Sequence, residues 1–272
     1  MTAWVSPPVL SLRRVGAMVV RYVLLLKNSW TRIFELVYWP TIQMVLWGFI
    51  SEFLRGNSTW VAQAAGVLIA SVLLWDVLFR GQLGVSISFM EEMWSRNLGH
   101  LFTSPLRPIE LTVALMSMSL IRTLIGIVPA TLLAIPLYHF SIYDMGLPLI
   151  AFFVNLLVMG WALGLVLSGL ILRFGQSAES LAWLAVFMLA PISAIYYPVT
   201  VLPSWLQKIA FLLPSTHVFE GMRAAMFEHV VRFDHLAWAA GLNLVYMAAG
   251  IVAFLFAVHV ARQRGLLLQM GE

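Results

Sequence analysis

The 272-residue chain has no cysteine, which excludes disulfides, thiolate metal sites and cysteine nucleophiles. Charge is scarce as well: 10% of residues are Asp, Glu, Lys or Arg against 61% hydrophobic, and mean hydropathy is +0.92. A soluble domain of this composition has too little polar surface to cover itself. No G-x-x-x-x-G-K-S/T phosphate loop is present, nor a polar segment large enough to house one, so any ATP hydrolysis belongs to another molecule. G-x-S-x-G and H-E-x-x-H are also missing, which argues against an intramembrane hydrolase or metalloprotease. Met1 to Leu12 carries two prolines and no basic stretch ahead of an apolar one, so no cleaved signal peptide is expected.

What fills the chain instead is apolar. Six stretches, 33–54, 61–88, 111–137, 146–172, 181–202 and 236–260, each reach the roughly 20 residues that a helix needs to cross a hydrocarbon core of about 30 Å. They are continuous and rich in Leu, Ala, Met and Gly rather than alternating, which favours helices over a barrel. The expected fold is all-α and polytopic, with six spans. With an inner N-terminus, eleven of the sixteen basic residues fall inside, Arg264 among them. Arg55, Lys208, Arg223 and Arg232 fall outside and Arg122 within a span, the bias of the positive-inside rule, so both termini are expected in the cytoplasm.

The connecting segments have their own patterns. Over 9–31, Val15, Met18, Val19, Tyr22, Val23, Leu26 and Trp30 recur at helical spacing opposite Arg14, Arg21 and Asn28. This reads as an interfacial helix on the inner leaflet or a cytosolic helix packed on a partner. Over 89–104, Phe89, Met90, Met93, Trp94, Leu98, Leu101 and Phe102 oppose Glu91, Glu92, Ser95, Arg96 and Gly99: an interfacial linker helix, or a docking surface for a soluble motor. The outer segment 203–234 holds an apolar run too short to cross, then Pro214 and an amphipathic stretch, which fits two short helices dipping into the membrane. Its His217, Glu220, His229, Asp234 and His235 match no ligand spacing, and no metal is expected.

Charges inside spans are costly unless paired or hydrated. Asp76 and Arg80 lie four apart on one helical face and can pair. Arg122 lies deep in the third stretch and needs a partner, Asp76 across the hairpin being a candidate, or else lines a route for anionic head groups. Gly160, Gly164 and Ser168 form a small-residue ridge for close helix packing, within the subunit or between copies. Tyr196 and Tyr197, between Pro191 and Pro198, offer hydroxyls to a solute or belong to an interfacial aromatic belt.

The run from Arg96 through Ser104-Pro105 to Glu110 resembles the cytoplasmic loop of ABC-2 type exporter permeases, R-x-G-T-L-E-x-L-x-x-S-P-L-x-x-x-E. Pro214-Ser-Thr-His217, followed by five residues and Arg223, resembles that family's P-x-x-H/R-x5-R segment. Asn97, Leu98, His100 and Ser215 depart from those patterns. The resemblance implies the membrane subunit of a bacterial ABC exporter: a homodimer, or else a heterodimer of related subunits, with two copies of a separate nucleotide-binding subunit that holds ATP and Mg, in the inner membrane. It implies that the 89–104 helix couples to the ATPase subunit through Glu91, Glu92, Trp94, Arg96 and Leu98, and that Pro214, His217, Glu220 and Arg223 belong to an outer gate. The cargo class it suggests is amphiphilic or glycan-type; a passive channel or accessory scaffold without an ATPase is the alternative.

Overall fold

The computed structural model describes residues 10–55 and 59–263. The signal-peptide reading of the first nine residues, the start of the interfacial helix at residue 9 and the placement of Arg264 lie outside the described residues.

Every regular element among the described residues is helical: α1 (Leu12–Lys27), α2 (Trp30–Arg55), α3 (Thr59–Trp94), α4 (Leu98–Thr103), α5 (Pro108–Tyr138), α6 (Leu147–Phe174), α7 (Glu179–Ile192), α8 (Ser204–Ala210), α9 (Pro214–Arg223) and α10 (Phe233–Gln263). Five of them, α2, α3, α5, α6 and α10, are long and apolar enough to cross a membrane.

The sixth expected span, 181–202, is not one continuous helix. α7 has 14 residues, about 21 Å at 1.5 Å per residue, and stops one residue after Pro191. Ala194 then adopts a left-handed backbone, φ 51°, and Pro198 leads into a short 3-10 turn, Val199–Val201. The 89–104 segment is likewise divided. α3 runs on to Trp94 and the chain turns before α4 begins at Leu98.

α3 is the spine of the bundle. It is 78% buried along its membrane window, against 17% for α2 and 22% for α10. α2, α5 and α6 pack around it, and α10 packs on the far side of α6. Close approach of α6 to α3 depends on the small-residue ridge: a methyl at Gly160 would lie 2.6 Å from the Leu78 carbonyl oxygen, and one at Gly164 2.8 Å from that of Gln82. The ridge is thus occupied within the subunit, and Ser168 closes it with a hydroxyl bonded to the Gly164 carbonyl at 2.7 Å. Polar links replace a hydrophobic driving force between helices: the Ser119 hydroxyl donates to Gly81 O at 2.7 Å, and the Asn243 amide donates to the Asn155 side-chain oxygen at 2.9 Å.

Candidate functional site

One end of the bundle gathers α1, the start of α2, the end of α3, α4 and the start of α5. α3 ends there in a Schellman turn. Arg96 N–H donates to Met93 O at 3.0 Å and Asn97 N–H to Glu92 O at 3.0 Å, with Arg96 in the left-handed region at φ 53°. Glycine normally takes that position because a side chain there is strained. The side-chain contact that usually fastens the turn is apolar; here the Asn97 amide donates to Glu92 at 2.6 Å. Trp94, Ser95, Arg96 and His100 are exposed on the outside of this turn, whereas Leu98 and Leu101 are buried beneath it.

Three carboxylates at this end each meet cations from other helices. Glu92, 1% exposed, pairs with Arg21 of α1. Glu91 pairs with Arg32 of α2 and Arg122 of α5, both at 2.9 Å. Glu110 accepts from Arg14 at 2.6 and 2.8 Å, from the Ser11 backbone N–H at 2.9 Å and from the Arg107 N–H at 3.0 Å, which caps the start of α5 and anchors the start of α1 at once. Alongside the Arg14 and Arg21 contacts, α1 buries Val15, Tyr22 and Leu26. Burial, and then the neighbouring Glu92, push the Tyr22 phenol up, so it stays neutral.

These placements revise the sequence reading. Glu91 and Glu92 do not project from an isolated amphipathic helix; they turn inward and bind arginines of α1, α2 and α5. Of the five residues expected to face a motor, Trp94 and Arg96 are exposed, Leu98 and Glu92 are buried, and Glu91 lies between, its side chain 11% exposed. Arg122 is buried and paired, but with Glu91 rather than Asp76. Asp76 pairs with Arg80 four residues along, at 2.5 Å. The one signal in the sequence is a run of cations that includes Arg14, Arg21 and Arg32 with no acid before Glu35, which calls for acids from elsewhere but does not say which.

The opposite end of the bundle holds α8, α9 and the broken stretch after α7. Arg223 donates to the carbonyls of Ala194 and Ile195 at 2.9 and 3.2 Å and to Glu220 at 2.8 Å. Glu220 in turn accepts the Val199 N–H at 2.7 Å. A single i,i+3 pair on α9 therefore satisfies backbone groups within the break and at the start of the turn that follows it. Ser193 and Ser215 add a buried hydroxyl pair at 2.8 Å. Pro214 starts α9, where a missing N–H costs nothing. His217 meets the Phe211 carbonyl at 3.0 Å through Nε2 and His235 of α10 at 3.1 Å through Nδ1. Burial pulls the His217 imidazole down from its ordinary value. Tyr196 stacks on Trp47 of α2 at 4.5 Å, and the Tyr197 hydroxyl donates to Pro191 O at 2.6 Å, so neither ring stands alone.

The arrangement is mechanical: a turn exposed at one end, ion-paired to three helices, and a clasped break in the bundle at the other. Compared with known families, residues 15–227 match the model of the ABC-2 type transporter. No curated protein matches the chain.

Proposed function

The chain belongs to the ABC-2 type transporter family, and from that premise we propose that it is the permease subunit of an ATP-driven exporter. A separate ABC-type subunit, two copies per assembly, binds ATP and Mg and grips the exposed turn at Trp94–Arg96 and α4 from the cytoplasm. Two copies of the chain form the path, in a bacterial inner membrane with both termini inside. α7 and the clasped segment after it complete a sixth, interrupted crossing, and α8 and α9 control the outer exit. The cargo is amphiphilic or glycan-like, in keeping with the Trp47–Tyr196 stack beside the break.

The observation that carries this reading is the joining of an exposed turn to α1, α2 and α5 through Glu91 and Glu92. A push on that turn reaches three helices without passing through a flexible linker.

The test uses the full chain reconstituted with its ATPase in vesicles. Arg96→Gly removes the guanidinium while suiting the left-handed backbone, and Trp94→Ala removes the exposed ring. Both should leave assembly of the bundle intact and lower ATP-driven transport at least tenfold. Unchanged transport in both variants rejects the docking role, and transport by the chain without any ATPase favours a passive channel.

A further inference from the structure

Ahead of Glu35 the sequence has five cations, Arg13, Arg14, Arg21, Lys27 and Arg32, and no acid. Three of them pair with Glu110, Glu92 and Glu91. The other two, Arg13 and Lys27, are exposed, and among the described residues neither has an acidic partner. At about 100° per residue the two fall within roughly 40° of one another around α1, about 21 Å apart along it.

Between them the outward side of α1 is apolar. Val20 is 57% and Leu24 52% exposed, while Val15, Tyr22 and Leu26 fill the opposite side against the bundle. An open groove of about 350 Å³ follows this side, lined by Ala17, Val20, Arg21, Leu24, Leu25 and Asn28. α1 therefore carries two apolar stripes, one covered by its own chain and one not. The uncovered stripe has a cation at each end, and the side chain of Arg21, 38% exposed while it holds Glu92, at its edge.

We propose that this face of α1 binds acidic phospholipids of the leaflet it lies on, with Val20 and Leu24 at the acyl boundary and Arg13 and Lys27 on headgroup phosphates. Charge complementarity selects the occupant: a neutral leaflet satisfies the apolar stripe alone, whereas an acidic one also satisfies both end cations. Two cations at an anionic surface give roughly thirtyfold preference over a neutral one. Because Arg14 and Arg21 tie the same helix to Glu110 and Glu92, lipid that seats α1 also steadies the turn at Trp94–Arg96. This link to the turn rests on the exporter reading above; the lipid preference itself does not.

The full chain, reconstituted with its ATPase, is compared in phosphatidylcholine vesicles and in an equal mixture of phosphatidylcholine and phosphatidylglycerol. Spin-labelled phosphatidylglycerol and phosphatidylcholine report selectivity, and ATP-driven transport reports coupling. The wild type should prefer phosphatidylglycerol about tenfold or more, and transport should rise in the mixture. Arg13→Gln with Lys27→Gln should abolish both responses while matching the wild type in phosphatidylcholine alone, and Arg13→Lys with Lys27→Arg should retain them. Equal selectivity in the glutamine variant and the wild type overturns the proposal. So does cross-linking of cysteines at Val20 or Leu24 between two copies, since a second copy then covers the face. Should the wild type select phosphatidylglycerol yet fail to transport in either lipid, the exporter reading fails and the lipid site stands.

Discussion

Arg122 of α5 holds Glu91 of α3 at 2.9 Å although their backbones are not level. Ser119 faces Gly81 and Gly84, and Gly126 faces Arg80, so Glu91 sits well beyond Arg122 toward the end of α3. The side chains close the gap because each leans toward the N-terminus of its own helix. α3 and α5 are antiparallel, so Glu91 leans back into the bundle and Arg122 leans out toward it. Asp76, lying nearer the start of α3, leans away from Arg122 by the same rule, and Arg80, one turn further along α3, leans back to meet it.

A double-mutant cycle tests this pairing. Arg122→Gln leaves Glu91 buried with Arg32 alone, and breaking a buried pair by removing one partner costs about 3 kcal/mol. Glu91→Gln and Arg122→Gln should show a coupling energy of about 1–3 kcal/mol in detergent unfolding. Asp76→Asn and Arg122→Gln should be additive. A coupling at 76–122 in place of 91–122 contradicts the geometry.

Arg96 stands at a glycine-like position, φ 53°. Arg96→Gly should therefore relieve about 1 kcal/mol of backbone strain, worth about 2 °C in Tm for a chain of this size, which offsets the loss of the side chain's own interaction, so stability should not fall. The same change should impair transport. A substitution that spares the fold and costs activity marks a side chain kept for more than its place in the fold.

Stability should also depend on pH through His217. Neutral imidazole has one N–H; the Nε2–H donates to Phe211 O, so Nδ1 accepts from His235. Burial is the largest influence on His217; among charged and titratable groups, His235 also opposes its protonation, while Asp234 and Glu220 favour it. With the folded value lowered, the unfolded state takes up a proton first as pH falls below about 6.5. Full stability is thus present above that pH and declines progressively beneath it. Tm measured from pH 8 to pH 5 should fall for the wild type and fall less for His217→Gln; parallel curves contradict the assignment.

The membrane-length helices were legible because hydropathy and length are properties of a single segment. The helical spacing of Val15, Tyr22 and Leu26 on α1 was legible too, but not what covers it: the chain's own bundle, rather than the leaflet or a partner. The inner carboxylates were not. Periodicity places Glu91 and Glu92 on a polar face, but cannot say that arginines from α1, α2 and α5 will cover that face. Two chain reversals were hidden for a different reason: Arg96 and Ala194 adopt left-handed backbone without being glycine, so the usual marker of such turns is missing. The break at Ala194 is held instead by Glu220 and Arg223, roughly 30 residues later in the chain. That long-range support is invisible to any local reading of the apolar stretch 181–202.

The most direct test of a cytoplasmic grip on the α3–α4 turn exploits the absence of cysteine. Ser95→Cys in the full chain is exposed to a membrane-impermeant maleimide, in inside-out and right-side-out vesicles, with and without the ATPase subunit. Labelling should occur only in inside-out vesicles and should be blocked by the ATPase. Labelling from the outer face, or labelling that the ATPase leaves unchanged, contradicts the account.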